Sequence, residues 1–209
     1  MATLAARVLA EGGLVAFPTD TVYGLGADVM NRAALARLFQ VKNRPAGRPV
    51  PVLLGEREDA GLVAARFPEG AWRLALRFWP GPLTIVVPRA EAVPAAVSGG
   101  RDTVGLRVPD HEAPRAIVRA LGRPVTGTSA NRSGNPPHTD PEGVALDLGG
   151  AVDLIVPGRC GGHGAASTVV DFSGEVPVVV REGPIKLAAL REVWPGVQAA
   201  PGDRGFADE

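Results

Sequence analysis

The chain has 209 residues, enough for one domain with a substantial core. Its 22 basic and 22 acidic residues cancel, so bulk attraction to nucleic acid is not implied and a local arginine patch is the remaining route to an anion. A hydrophobic content of 45%, no apolar run long enough to cross a membrane, and a lone Cys160 point to a cytoplasmic globular protein without an internal disulfide or a cysteine zinc cluster.

Residues 1–11 read as an amphipathic helix rather than a signal peptide, since they lack a basic start and a cleavage site. Leu14-Val15-Ala16-Phe17 is an apolar run of the kind a buried strand needs, and Pro18 stops it. Thr19 and Thr21 then present hydroxyls, and Gly24 and Gly26 are expected to let a turn pass close to a ligand. Asn31 is the expected N-cap of a helix whose apolar stripe is Ala34, Leu35, Leu38 and Phe39. The helix empties into Lys42-Asn43-Arg44-Pro45, where Pro45 biases Arg44 away from the helical region. Hydroxyls, a glycine turn and paired cations in one unit suit an anionic small molecule. An ordinary strand exit followed by solvated cations at a helix end fits the same residues. Of the 22 basic residues only Lys42 and Lys186 are lysine, which hints at a task for a compact ammonium at Lys42, such as a phosphate contact. Placed at a cleft edge, Lys42 is expected to matter for catalysis and little for folding.

Further along, Pro51 to Leu54 reads as a short strand and residues 56–67 as a helix. Pro68 opens another helix in which Trp72, Ala75, Leu76 and Trp79 recur at helical spacing, as packing residues. Pro80-Gly81-Pro82 ends it, and residues 83–87 form a strand. In Thr103-Val104-Gly105-Leu106-Arg107-Val108 a period of two puts Val104, Leu106 and Val108 on one face and Thr103, Gly105 and Arg107 on the other. A hydroxyl, a space and a guanidinium read as a ligand floor, against a solvent-facing edge. A helix follows Pro109-Asp110-His111, then a strand at residues 124–127 and a hydroxyl-rich turn, Thr128-Ser129-Ala130-Asn131-Arg132-Ser133-Gly134, able to cradle phosphate or ribose oxygens. A helix at 140–148 and a strand at 152–156 precede a glycine-rich loop around Cys160 and His163 that is no P-loop. Strands at 167–171 and 178–181 and a helix at 185–193 complete the pattern. The fold class is α/β: a single domain, residues 1–196, with a twisted mixed open sheet flanked by helices and a disordered polar tail at 197–209.

The motifs PTDTVYGLG at 18–26, KNRP at 42–45, WPGPLT at 79–84, VGLRVPDH at 104–111, TSANRSG at 128–134, STVVD at 167–171 and VREGP at 180–184 resemble, in order, those of the YrdC-like L-threonylcarbamoyladenylate synthases. The resemblance runs from about Gly12 to Trp194 and implies a YrdC-like α/β open sheet with a basic concave surface. It implies that L-threonine, bicarbonate and ATP are joined into threonylcarbamoyl-AMP and pyrophosphate. Downstream proteins then transfer the threonylcarbamoyl group to a tRNA adenosine beside the anticodon, with direct tRNA binding left open. Carried over by motif, Thr21, Arg107 and Ser167 are expected to contact L-threonine. Arg44, Thr103, Ser129, Asn131 and Arg181 are expected to contact ATP, with Lys42 beside its phosphates and Thr19 in support. Lys42 and Arg44 are the expected catalytic cations. Arg48, Leu53 and Pro137 depart from the family pattern, where an asparagine, a histidine that helps hold threonine and a serine that touches ATP stand in some members. Longer relatives carry an extra C-terminal domain, for which this chain is expected to be too short.

Two anions must meet in that reaction, so cations matter more than a general base. Arg107 is expected to pair bidentately with the threonine carboxylate. No carboxylate cluster suited to caging a metal is evident, so no protein metal site is expected and Mg²⁺ is expected to arrive on the ATP phosphates. An RNA-binding translation factor using the same basic concavity is the alternative, disfavoured by zero net charge and 5% aromatic content. A carbamoyl-transfer domain of hydrogenase maturation is a further rival, disfavoured by the absence of its flanking segments.

Overall fold

Two β-sheets divide the strands of this computed structural model, which describes residues 1–45, 47–161 and 166–200. In chain order the elements are α1 (Ala2–Ala10), β1 (Val15–Phe17), β2 (Gly24–Gly26), α2 (Arg32–Lys42), β3 (Val52–Leu53), α3 (Glu69–Phe78), β4 (Leu83–Pro88), β5 (Thr103–Arg107), α4 (Glu112–Leu121), β6 (Val125–Thr126), β7 (Thr128–Ser129), α5 (Pro141–Leu148), β8 (Leu154–Ile155), β9 (Thr168–Asp171), β10 (Val178–Arg181), α6 (Leu187–Val193) and β11 (Gln198–Ala199). The smaller sheet has the order β7-β2-β1-β8 and the larger β11-β10-β9-β4-β5-β3-β6, where one mixed sheet was expected. Each mixes parallel and antiparallel pairs: β1 runs parallel to β8 and antiparallel to β2, while β4 runs parallel to β9 and antiparallel to β5. The chain steps from one sheet to the other at Gly127, between β6 and β7. This splits the residues expected to form one strand and one turn.

The alternation in β4 and β5 sorts side chains as the sequence implies. Ile85, Val87, Val104 and Leu106 enter the main core, while Thr84, Val86, Thr103, Gly105 and Arg107 face a cleft. A second core gathers Ala5 and Leu9 of α1, Val15 and Phe17 of β1, and Ile117 and Val118 of α4. Asn31 caps α2 as expected, its Oδ1 accepting from Ala34 N at 3.0 Å, and the stripe of Ala34, Leu35, Leu38 and Phe39 is buried. His111 caps α4 by accepting from Ala113 N through Nδ1. Pro45 acts only after α2 has ended at Asn43, whose φ of 52° closes the helix in the left-handed region.

Four expectations change. Gly24 and Gly26 form β2 rather than a ligand turn, because the Phe17 ring lies across both; a Cβ would come within 2.9 Å and 2.6 Å of that ring. The expected helix at 56–67 is a 3₁₀ helix over Arg57–Leu62, where Asp59 turns back to accept from Gly55 N and Glu56 N. In α3 the buried side is Gly70, Ala71, Leu74 and Ala75, and Leu76, one position round the helix, is 60% exposed. Finally, the ordered chain passes residue 197: Val197 is buried in the core and β11 pairs in parallel with β10. Residues 201–209 of the expected tail lie outside the described residues, as does His163.

Candidate functional site

The cleft lies where the exposed face of the larger sheet meets the C-terminal turns of the smaller one, and its volume is about 310 Å³. Its floor carries Thr84 and Val86 of β4, Thr103, Gly105 and Arg107 of β5, Leu53 of β3, and Val169 of β9. Thr21 and Val22 form one wall with Thr128, Ser129 and Asn131. Five arginines border it, Arg44, Arg48, Arg101, Arg107 and Arg181, and no aspartate, glutamate or histidine does so among the described residues. Such a lining creates a positive field in a partly desolvated recess, which suits an anion.

Of the residues expected in the site, Thr21, Arg44, Thr103, Arg107, Ser129, Asn131, Ser167 and Arg181 all line this one cleft. Arg48, Leu53 and Pro137, the departures from the family pattern, line it too. Leu53 owes its place to Gly127, where a Cβ would collide with the leucine side chain. Thr19 stands behind the wall and shapes it. Its Oγ1 accepts from Thr21 N at 3.1 Å, donates to Val22 O at 2.7 Å and lies 3.0 Å from Thr21 Oγ1.

Lys42 is the correction. The sequence put it at a cleft edge, but it is fully buried at the end of α2 and does not line the cleft. Its Nζ donates to Ser129 O at 2.5 Å and Asn131 O at 2.7 Å, and its own carbonyl accepts from Ser133 N. The ammonium therefore fixes the 129–133 backbone from beneath, and its removal leaves buried carbonyls without that donor. The expectation that its loss spares the fold is withdrawn on this geometry.

That loop holds polar atoms that lack partners among the described residues. Thr128 Oγ1, Ser129 Oγ, Asn131 Oδ1 and Ser133 Oγ are all buried, and none of them is bonded there. Buried polar groups are normally satisfied, and three of these four residues, Thr128, Ser129 and Asn131, also belong to the lining of the arginine-rich cleft. Asp147 of α5 holds the loop from outside, accepting from Arg132 N at 3.1 Å, Asn135 Nδ2 at 3.0 Å and His138 Nε2 at 3.0 Å. Burial pushes the Asp147 carboxyl up, but the bonds from His138, Arg132 and Asn135 outweigh it and hold the group below the ordinary aspartate range. Tyr23 pins the preceding segment through Oη, which donates to Val156 O at 3.0 Å and Gly158 O at 2.9 Å. Burial first, then the nearby Cys160, Glu142 and Asp140, raise its pKa to about 12, so it stays a neutral donor.

On the floor the polar groups are already arranged in pairs. Arg107 donates from Nη2 to Asp20 Oδ1 at 2.5 Å, from Nε to Gly81 O at 3.0 Å and from Nη1 to Thr21 Oγ1 at 3.4 Å. Both members of the Arg107–Asp20 pair are buried, and the fork expected for a bidentate ligand contact is partly committed to the protein. A guanidinium has five N–H donors, so its remaining N–H groups are the ones left for the cleft. Asp20 is a residue that the sequence offered no reason to choose beyond its place in PTDT. Thr84 is another: its Oγ1 lies 2.8 Å from Ser167 Oγ. Arg44 Nη2 donates to Pro49 O at 2.8 Å, which anchors it at the rim.

The family model Sua5_yciO_yrdC, described as telomere recombination, matches residues 7–183. The threonylcarbamoyl-AMP synthase of Pyrococcus abyssi is 41% identical over 198 residues, which cover 95% of this chain and 58% of that protein. The threonylcarbamoyl-AMP synthase of Bacillus subtilis is 38% identical over 206 residues, covering 98% and 59%. The chain thus spans under two thirds of the length of these two curated relatives. The putative threonylcarbamoyl-AMP synthase of Mycobacterium tuberculosis H37Rv is 38% identical over 196 residues, covering 94% of this chain and 89% of that protein. Among solved structures, P. abyssi Sua5 complexed with L-threonine superposes with a TM-score of 0.92 at 40% identity, over 96% of this chain and 59% of the other. YciO of Escherichia coli superposes with a TM-score of 0.81 at 29% identity, over 90% and 92%.

Proposed function

The chain belongs to the Sua5–YciO–YrdC family, and on that premise we propose that it joins L-threonine, bicarbonate and ATP into threonylcarbamoyl-AMP and pyrophosphate. The reading makes it a nucleotidyltransferase and takes the described residues as one catalytic domain. Its product would pass, in the cytoplasm, to proteins that modify a tRNA adenosine next to the anticodon. The observation that carries the reading is the cleft lining: five arginines and, among the described residues, no carboxylate. Relatives named for this activity and a solved relative complexed with L-threonine support it. The RNA-groove alternative draws no support from a recess of about 310 Å³, a size that suits small molecules.

On this reading Arg107, oriented by Asp20 and Gly81 O, presents its outer N–H groups to the threonine carboxylate, with Thr21 and Ser167 beside it. Arg44, Arg181, Thr103, Ser129 and Asn131, all in the cleft lining, take the nucleotide. Arginines spread the positive charge that the triphosphate and the attacking carboxylate both need as pyrophosphate leaves. Lys42 acts through the loop it holds and is a positioning residue. With no carboxylate in the lining among the described residues, Mg²⁺ is read as held by the ATP phosphates.

The test is pyrophosphate release from ATP with threonine and bicarbonate supplied singly and together in degassed buffer. Release is expected only with both, since the attacking group forms from the pair. Vigorous release with either omitted would overturn the reading.

A further inference from the structure

Ser167 is held from two sides. Thr84 Oγ1 lies 2.8 Å from its Oγ in a buried pair where either hydroxyl can donate. Arg181 Nη2 donates to the same oxygen at 3.3 Å, and Arg181 Nε donates to the Ser167 carbonyl at 3.0 Å. A guanidinium has no acceptor, so Ser167 Oγ must receive that bond. Whichever hydroxyl donates to the other, one O–H proton of the pair is left over, and both Thr84 and Ser167 border the cleft. The Thr84 methyl faces Gly105, 3.1 Å from where a Cβ would stand, while the hydroxyl meets Ser167. A guanidinium beside a hydroxyl pair with one spare proton is the chemistry that recognises a small oxyanion.

We propose that Thr84, Ser167 and Arg181 form the subsite for the carboxylate added to threonine's nitrogen, first as bicarbonate and then as the N-carboxylate. The inference rests on the function proposed above and deepens it. In the first step the threonine nitrogen bonds to the bicarbonate carbon, with loss of one water and, from the ammonium form, one proton to solvent. In the second an oxygen of that N-carboxylate attacks the α-phosphorus, and the bond from that phosphorus to pyrophosphate breaks. The attacking oxygen belongs between the residues read as threonine contacts and those read as ATP contacts. The hydrogen bonds from Arg181 to Ser167 join those two sets, and Thr84, assigned to neither, completes the junction.

Thr84→Val keeps the branched shape and strand preference while removing the hydroxyl. Pyrophosphate release would be followed with bicarbonate, threonine and ATP each titrated against saturating levels of the others. The bicarbonate KM should rise by about tenfold or more, as for a lost hydrogen bond to a charged group, while the other two stay within about twofold. Thr84→Ser should restore the bicarbonate KM. An unchanged bicarbonate KM, or a parallel rise in all three, would overturn the subsite. If the valine variant fails to fold, Thr84→Cys, a weaker donor of similar size, carries the same comparison. Wild-type release that ignores bicarbonate would overturn the function itself, whereas wild-type dependence with an indifferent Thr84→Val overturns only the subsite.

Discussion

The sheet floor and the 128–133 loop face each other across the cleft and handle their polar atoms in opposite ways. On the floor Arg107 is matched with Asp20, Thr84 with Ser167, and Arg181 with Ser167. In the loop four buried side-chain oxygens have no partner among the described residues, while the backbone is clamped by Lys42 from below and Asp147 from outside. The floor is therefore set before any ligand arrives, and its side chains have few choices of direction. The loop has a fixed backbone but, among the described residues, unfilled side-chain bonds.

The sharpest way to break this contrast is at the clamp. Lys42→Ala should lower stability by about 3 kcal/mol through the buried carbonyls it strands, and cut kcat/KM by at least about 100-fold. Thermal denaturation beside turnover checks it. A stable variant with lost turnover would return Lys42 to direct ligand contact. Next, Gly105→Val tests the floor's shape. A Cβ there would sit 3.1 Å from Thr84 Cγ2 and 3.7 Å from Val86 Cγ2, so the neighbours must give slightly. Stability should change by no more than about 1 kcal/mol, while activity falls by about 100-fold as the side chain fills the cleft. A destabilised but active variant would mean this face does not meet substrate.

Asp20→Asn tests whether the floor is set by charge. The exchange leaves Arg107 buried without its counter-ion, so a loss of about 3 kcal/mol in stability is expected. The threonine KM should rise about tenfold while the ATP KM holds, because the guanidinium loses its orientation. Equal changes in both constants would make Asp20 a general packing residue. The smallest effect belongs to the outer clamp. Because the folded Asp147 carboxyl is held below its unfolded range, its contribution is fully present above about pH 4 and is lost as the pH falls through the folded value. Asp147→Asn should therefore be less stable than wild type near neutral pH, by about 1 kcal/mol, and the two should converge once the pH has fallen below the folded value. Denaturation across an acid pH series measures it, and a difference that stays constant throughout would show that ionisation is not the cause.

What could be read from the sequence was what neighbours in the chain decide. The Asn31 cap, the α2 stripe and the two faces of β5 each depend on spacing within a few residues, and each stands as expected. The convergence of Thr21, Arg107, Ser129, Ser167 and Arg181 was visible only through ordered motifs, since nothing local brings strand ends together. Lys42 was misread because its acceptors lie 87 and 89 residues away, and no local pattern signals that an ammonium will be buried. Gly24 and Gly26 looked like turn residues because the ring that requires them belongs to a different strand. Gln198 looked like tail because an edge strand of two exposed residues has no apolar signature.

Leu53 and Gly127 carry a constraint on how this cleft can change over generations. The leucine side chain occupies the volume that any Cβ at position 127 would need. A first substitution at 127 is therefore penalised while Leu53 stands, whereas shrinking position 53 first opens the path for a later gain at 127. The two sites are coupled by shared volume, so their effects will not add. Lineages that begin from this pairing must cross in one order only, and the apolar patch on the cleft floor is inherited along with the glycine that permits it.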